Sequence, residues 1–242
     1  MAPPPVITVI AVTHGSFPVA AELNHKIDPV HPILRATLDI AWEDPDPASA
    51  IVRIEQSLIG FSPSFERHEC RGPRAYHVFL GDGAGPAPPV PDPAGGAFDG
   101  RLALAHVIEH VVIDFLFAIN GKDRCSGVTG ARRDAATRYD LLIECDDYPV
   151  GRLCLGLAVL VVTSAFLGRA LGEAERDPIA VARLARTRPG RPLIPPEVGR
   201  ILEWDESRTG RALAMMRQLG YLQEEAYAMN LSGVPEYRAA RC

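Results

Sequence analysis

Residues 101–120 read RLALAHVIEHVVIDFLFAIN, a run apolar at nearly every position and closed by the helix-stopping pair Asn120-Gly121. Helical spacing predicts a helix over 101–119. With no wide polar face, such a helix cannot rest on a surface, and the remaining chain has to wrap it. Into this run the sequence sets His106, Glu109, His110 and Asp114. Ionisable groups without partners are costly in an apolar interior, so something has to compensate them.

The first three make the pattern H-x-x-E-H. Positions i and i+4 share a helical face, about 6 Å apart along the axis. Two imidazoles so placed can reach one ion at a Zn–N distance of about 2.0–2.1 Å. Glu109 projects from the same face, where it can hold a metal-activated water and take its proton. The pattern is the inverted form of the zincin motif H-E-x-x-H. Asp114, four residues after His110, can accept the free ring N–H of a ligand histidine. A catalytic zinc usually has a third protein ligand. Glu144 interrupts the apolar strand YDLLIEC (139–145) and is the natural candidate, ahead of Asp146, Asp147, His68 and His77. The alternative to a metal is a hydrogen-bonded polar network in the core.

The 242 residues suffice for one good core with a small appended unit. VITVIAV near the start reads as a strand, and PILRATLDIA (32–41) as a strand or short helix. DPASAIVRIEQSLIGF reads as an amphipathic helix with Asp46 as N-cap, and AYHVFLG (75–81) as a short strand. The Gly/Pro-rich interval 81–100 predicts a flexible surface loop. Residues 121–138 read as a polar connection and DDYPVG as a turn; a second apolar helix covers about 151–172. Its longest apolar run, 153–168, falls short of a membrane-spanning length. The expected architecture is α+β: a mainly antiparallel sheet with helices packed on one face. Residues 1–174 form this core, and 175–242 a helical C-terminal appendage.

A formal net charge of −5 offers no global attraction to nucleic acid or anionic lipid, so neither partner is expected. The arginines between 183 and 200 read as a solvated linker. The tail MRQLGYLQEEAYAMNLSGVPEYR resembles the end of a winged helix, but no recognition helix stands out. Five scattered cysteines without a C-x-x-C pair fit reduced thiols, and the N-terminus lacks the pattern of a signal peptide. A cytoplasmic protein is expected.

The run LALAHVIEHVVIDFLFAINGKDRCSGVTGARRDAATRYDLLIECDDYPVGRLCLGLAVLVV resembles the N-terminal domain of cyanophycin synthetases. The matching features are the H-x-x-E-H helix, with Asp114 in place of the family's Glu, and Gly127-Val128-Thr129. Tyr139–Cys145 with Glu144 and the pair Val150-Gly151 follow; upstream, His68 and Cys70 match a His-x-Cys segment. The likeness covers about residues 50–165. It implies a fold similar to inverted-zincin peptidases, with His106, His110 and Glu144 as metal ligands and Glu109 as catalyst. It also implies substrate contacts near Thr129 and Arg132, although Gly130 stands where the family's turn has Arg. The ATP-grasp and ligase modules that make the polymer have no counterpart in these 242 residues. The expected activity is therefore zinc-dependent cleavage of an amide bond in a small peptide or cyanophycin-like polyamide. One zinc per chain is expected, with iron, manganese or cobalt as other possible occupants. The rival expectations are a non-catalytic binding domain serving a separate ligase, and a regulator using its C-terminal unit on DNA.

Overall fold

The computed structural model describes residues 3–62, 65, 99–121, 125–132, 134–229 and 235–240. His68, Cys70, His77, the strand expected at 75–81 and nearly all of the 81–100 loop lie outside the described residues. The elements run β1 (Val6–Gly15), α1 (Pro18–Leu23), β2 (Ile33–Ala41), α2 (Pro47–Phe61), α3 (Gly100–Asn120), β3 (Gly127–Ala131) and β4 (Arg138–Glu144). After them come α4 (Tyr148–Phe166), α5 (Glu173–Thr187), α6 (Pro195–Leu202), α7 (Glu206–Gln218), β5 (Leu222–Met229) and β6 (Pro235–Ala239).

The fold is α+β. Four antiparallel strands form a sheet in the order β1-β2-β4-β3, and β5 and β6 form a separate hairpin. Period-two alternation sorts the sheet's side chains. Leu34, Ala36, Leu38, Ile40, Tyr139, Leu141 and Ile143 face the main core, shared with α2, α3 and α4. Ile33, Val128 and Leu142 face the other way, where Ala20 of α1 and Ile27 cover them. The helices are thus mostly on one face, with α1 the exception. β1 is an edge strand carrying a bulge between Val9 and Ala11, and Val6, Val9 and Ile10 are exposed.

Local chemistry sets the helix ends. Asp46 accepts the Ser49 N–H and starts α2, as its sequence predicts. Asp99 caps α3 by accepting the N–H groups of Arg101 and Leu102. Gly121 ends α3 in the left-handed conformation (φ 64°), which costs glycine nothing. DDYPVG is not a free turn: Asp147 accepts the Val150 N–H and Pro149 sits in the first turn of α4. α4 therefore begins earlier than its apolar run. α3 and α4 are both long and apolar enough to cross a membrane, against the shorter length expected for the second. In the windows concerned, 78% and 61% of residues are buried inside the fold, as in the core helices of a soluble protein.

Two other segments differ from expectation. Gly127–Ala131, read as a polar connection, is a strand paired to β4. The arginine-rich stretch after Glu173, read as a linker, forms α5, which runs through Pro178 and buries Val181, Ala182 and Leu184. Leu184, Val198, Leu213, Met216 and Tyr237 belong to the same hydrophobic cluster as α3 and α4. Residues 175–242 are thus continuous with the main core and include a hairpin as well as helices.

Candidate functional site

α3 buries Leu102, Ala103, Leu104, Ala105, Val107, Ile108, Val111, Val112, Phe115 and Leu116, the shell its sequence demands. Within it, His106 and His110 are half-buried, while Glu109 and Asp114 are each only 3% exposed. The two imidazoles meet edge to face, ring centres 4.5 Å apart, with the Nε2 atoms 3.1 Å from each other. The other nitrogen of His106, Nδ1, lies 3.2 Å from Glu109 Oε2. That oxygen also accepts the hydroxyl hydrogen of Thr129, itself buried on β3. Phe65 packs its ring edge-on to His110 at 6.0 Å.

A glycine makes room for this carboxylate. A Cβ built on Gly127 would stand 2.6 Å from Glu109 Oε1, a separation that real side chains do not tolerate. The strand β3 thus contributes twice to one glutamate, by a missing side chain at 127 and a hydroxyl at 129. Neither contribution follows from the sequence unless GVTGA is first read as a strand. Alternation then aims Gly127, Thr129 and Ala131 at α3 and Val128 away from it.

The sequence-predicted residues separate into those the fold brings together and those it does not. His106, Glu109 and His110 form one contiguous cluster. Asp114 stands about 40° around α3 from His110 and about 140° from Glu109, at the edge of the cluster. Its Oδ2 accepts the hydroxyl of Ser62 at the end of α2. Glu144 does not join the histidines. It follows Leu142 on the sheet face that α1 covers, and its two oxygens accept the Asp28 N–H at 2.8 Å and the Ser126 N–H at 2.7 Å. The reason is strand parity: Leu141, Ile143 and Cys145 take the α3 side, so the intervening residues cannot.

The two alternative ligands within the described residues are also occupied elsewhere. Asp146 pairs with His31 at 3.0 Å and Asp147 caps α4. Among the described residues, no group of three or more His, Cys, Asp or Glu side chains is arranged to hold a metal. Thr129, expected near substrate, is buried against Glu109. Arg132, expected there too, is buried and bound through Nε and Nη2 to Asp134 at 2.9 and 2.8 Å. This fork holds the Asp134 carboxyl at about 2, well below its ordinary value.

Two donors therefore fit a divalent cation and the third does not. Tetrahedral ligation at about 2.0–2.1 Å puts neighbouring nitrogens roughly 3.3 Å apart, close to the observed Nε2 separation. With Nδ1–H of His106 donating to Glu109, Nε2 of that ring carries a lone pair turned toward His110. This is the carboxylate–histidine arrangement that orients metal ligands. The same contacts also close without an ion, if His110 carries its proton on Nε2 and donates it to His106. The two states differ by a tautomer of His110.

A scan against models of protein families finds no match, and a search among curated proteins finds none.

Proposed function

We propose that the protein is a metal-dependent hydrolase of an amide bond in a peptide or polyamide, working in the cytoplasm. The observation carrying this reading is the convergence of two Nε2 atoms beside a buried carboxylate. A divalent cation held by His106 and His110 would polarise a carbonyl and acidify water, the chemistry that amide cleavage requires. The H-x-x-E-H pattern assigns Glu109 to proton transfer between water and the leaving amine. For that role its carboxylate has to turn from the Nδ1 side of His106, where it now rests, toward the Nε2 side. Thr129 and Gly127 hold that carboxylate in place, and Glu109 in turn orients the His106 ring. The likeness to the cyanophycin synthetase N-terminal domain supports the same roles for the three α3 residues. It implies a ligand role for Glu144 as well, which the bonds of that carboxylate to the Asp28 and Ser126 N–H groups speak against. The buried free thiol of Cys154 supports a reducing compartment.

A second reading is favoured by the closed hydrogen-bonded chain His110–His106–Glu109–Thr129. In it the cluster is a satisfied polar network and the protein binds a polyamide without cleaving it. Elemental analysis of protein purified without chelator separates the two. The hydrolase reading expects near one zinc per chain, lost in His106→Ala/His110→Ala. Glu109→Gln should keep the metal and lose about 10²-fold or more in turnover on a panel of peptides and cyanophycin. Protein free of metal and inactive on the whole panel would favour the binding module.

A further inference from the structure

Residues 173–240 contain an arrangement unconnected with the histidine cluster. α5 is followed by Leu193, which exchanges both backbone hydrogen bonds with Tyr237 of β6, at 2.7 and 3.1 Å. Then come α6, the three-residue turn Glu203-Trp204-Asp205, α7 and the β5–β6 hairpin. Helix, strand, helix, short turn, helix and hairpin is the order of a winged helix–turn–helix.

The turn is built for its task. Glu203 is the one non-glycine residue with positive φ (57°) among the described residues. Asp205 accepts the Arg208 N–H at 2.7 Å and starts α7. A Cβ on Gly199 would meet the Thr209 hydroxyl and the Trp204 carbonyl oxygen, each at 3.0 Å, so a glycine here eases the close approach of α6 to the turn and α7. Val198, Ala212, Leu213, Met216 and Tyr237 fill the space between elements. Arg208 ties α7 to α5 through Asp177, at 3.0 and 2.8 Å.

What α7 leaves outside is equally ordered. Ser207, Gly210, Arg211, Ala214, Arg217 and Gln218 are exposed and recur at helical spacing as one stripe. The stripe has small residues where a helix backbone must approach a groove and cationic or amide donors between them. It contains no carboxylate. Arg211 donates to Ser207 at 2.6 Å and Arg217 lies over the Tyr237 ring. Arg200 is exposed on α6. Glu203 and Asp205 in the turn and Glu206 at the start of α7 weaken the pull of this end on phosphate, so discrimination between sequences rests on base contacts. Residues 173–242 hold eleven arginines against ten acidic residues, so the acidic balance of the whole chain resides in the rest of it. The net charge that speaks against nucleic acid does not describe this surface.

We infer that residues 173–240 bind double-stranded DNA, with α7 in the major groove and Arg211 and Arg217 on base edges and phosphate. The test uses the full chain and a pool of duplexes with a random core of about 20 base pairs, two helical turns. Selection should enrich a common motif, bound with an affinity that falls as salt rises. Arg211→Ala/Arg217→Ala should weaken that binding about tenfold or more while the chain still unfolds in one cooperative transition. Gly210→Glu is the second variant: nothing lies within 4 Å of its Cβ position, so the fold is kept while a carboxylate enters the stripe. Failure to enrich a motif, or wild-type binding by both variants, overturns the inference. Self-association that these variants abolish, without duplex binding, assigns the stripe to a protein contact and overturns it as well.

Discussion

Glu109 and Glu144 are both carboxylates in apolar segments, and their sequence contexts differ little. The first sits 3% exposed between an imidazole and a threonine hydroxyl; the second holds two backbone N–H groups, of Asp28 and Ser126, at the end of a strand. Each bond is an obligation, because a donor stripped of its partner costs free energy whether or not the residue has a chemical role. Glu144→Ala is expected to lower unfolding free energy by about 1–2 kcal/mol in urea titrations, through those two donors. Zinc content should stay at the wild-type level in the same preparation. A fall to the level of the histidine variant would return Glu144 to the ligand set.

At the scale of elements, the cluster depends on how closely α3 lies on β3. Gly127→Ala puts a methyl group 2.6 Å from Glu109 Oε1, so the carboxylate has to shift and its bonds to His106 and Thr129 are disturbed. The expected loss is about 1–3 kcal/mol. It should shrink when Glu109 is already alanine, which a double-mutant cycle measures directly; an undiminished loss would mean the strain lies in the strand alone. This contact also marks the limit of what the sequence discloses. α3 is legible because its apolar run ends in Asn-Gly, and α2 because Asp46 precedes a helical pattern. β3 is not, because Gly127 and Gly130 carry no strand preference and only pairing with β4 makes them one. α5 is hidden by the convention that proline stops a helix, although Pro178 lies early in it. The HxxEH spacing therefore gives the helix residues of the site, while the strand residues and the parity of Glu144 depend on register that no local pattern states.

Across the whole molecule, one hydrophobic cluster runs from the sheet through α3 and α4 to Tyr221 and Tyr237. Two tyrosines report on it. Burial pushes the Tyr221 hydroxyl up to about 12, helped by Asp147, and raises Tyr139 as well, aided by Asp99. A raised folded value favours the neutral phenol. Its contribution to stability is full below the ordinary tyrosine value of about 10 and is lost as pH rises through the folded value. Ultraviolet titration should therefore show Tyr221 ionising late, near 12, and Tyr139 late as well. Ionisation of all six tyrosines near the ordinary value would contradict the enclosure of the C-terminal elements. The same enclosure bears on how such a chain can change over generations. A site on a loop can be rebuilt one residue at a time while the core stays as it is. Here the histidines alternate with Val107, Ile108 and Val111, residues that hold the molecule together. Retuning the chemistry means repacking the interior, and only variants with stability to spare can survive the intermediate steps.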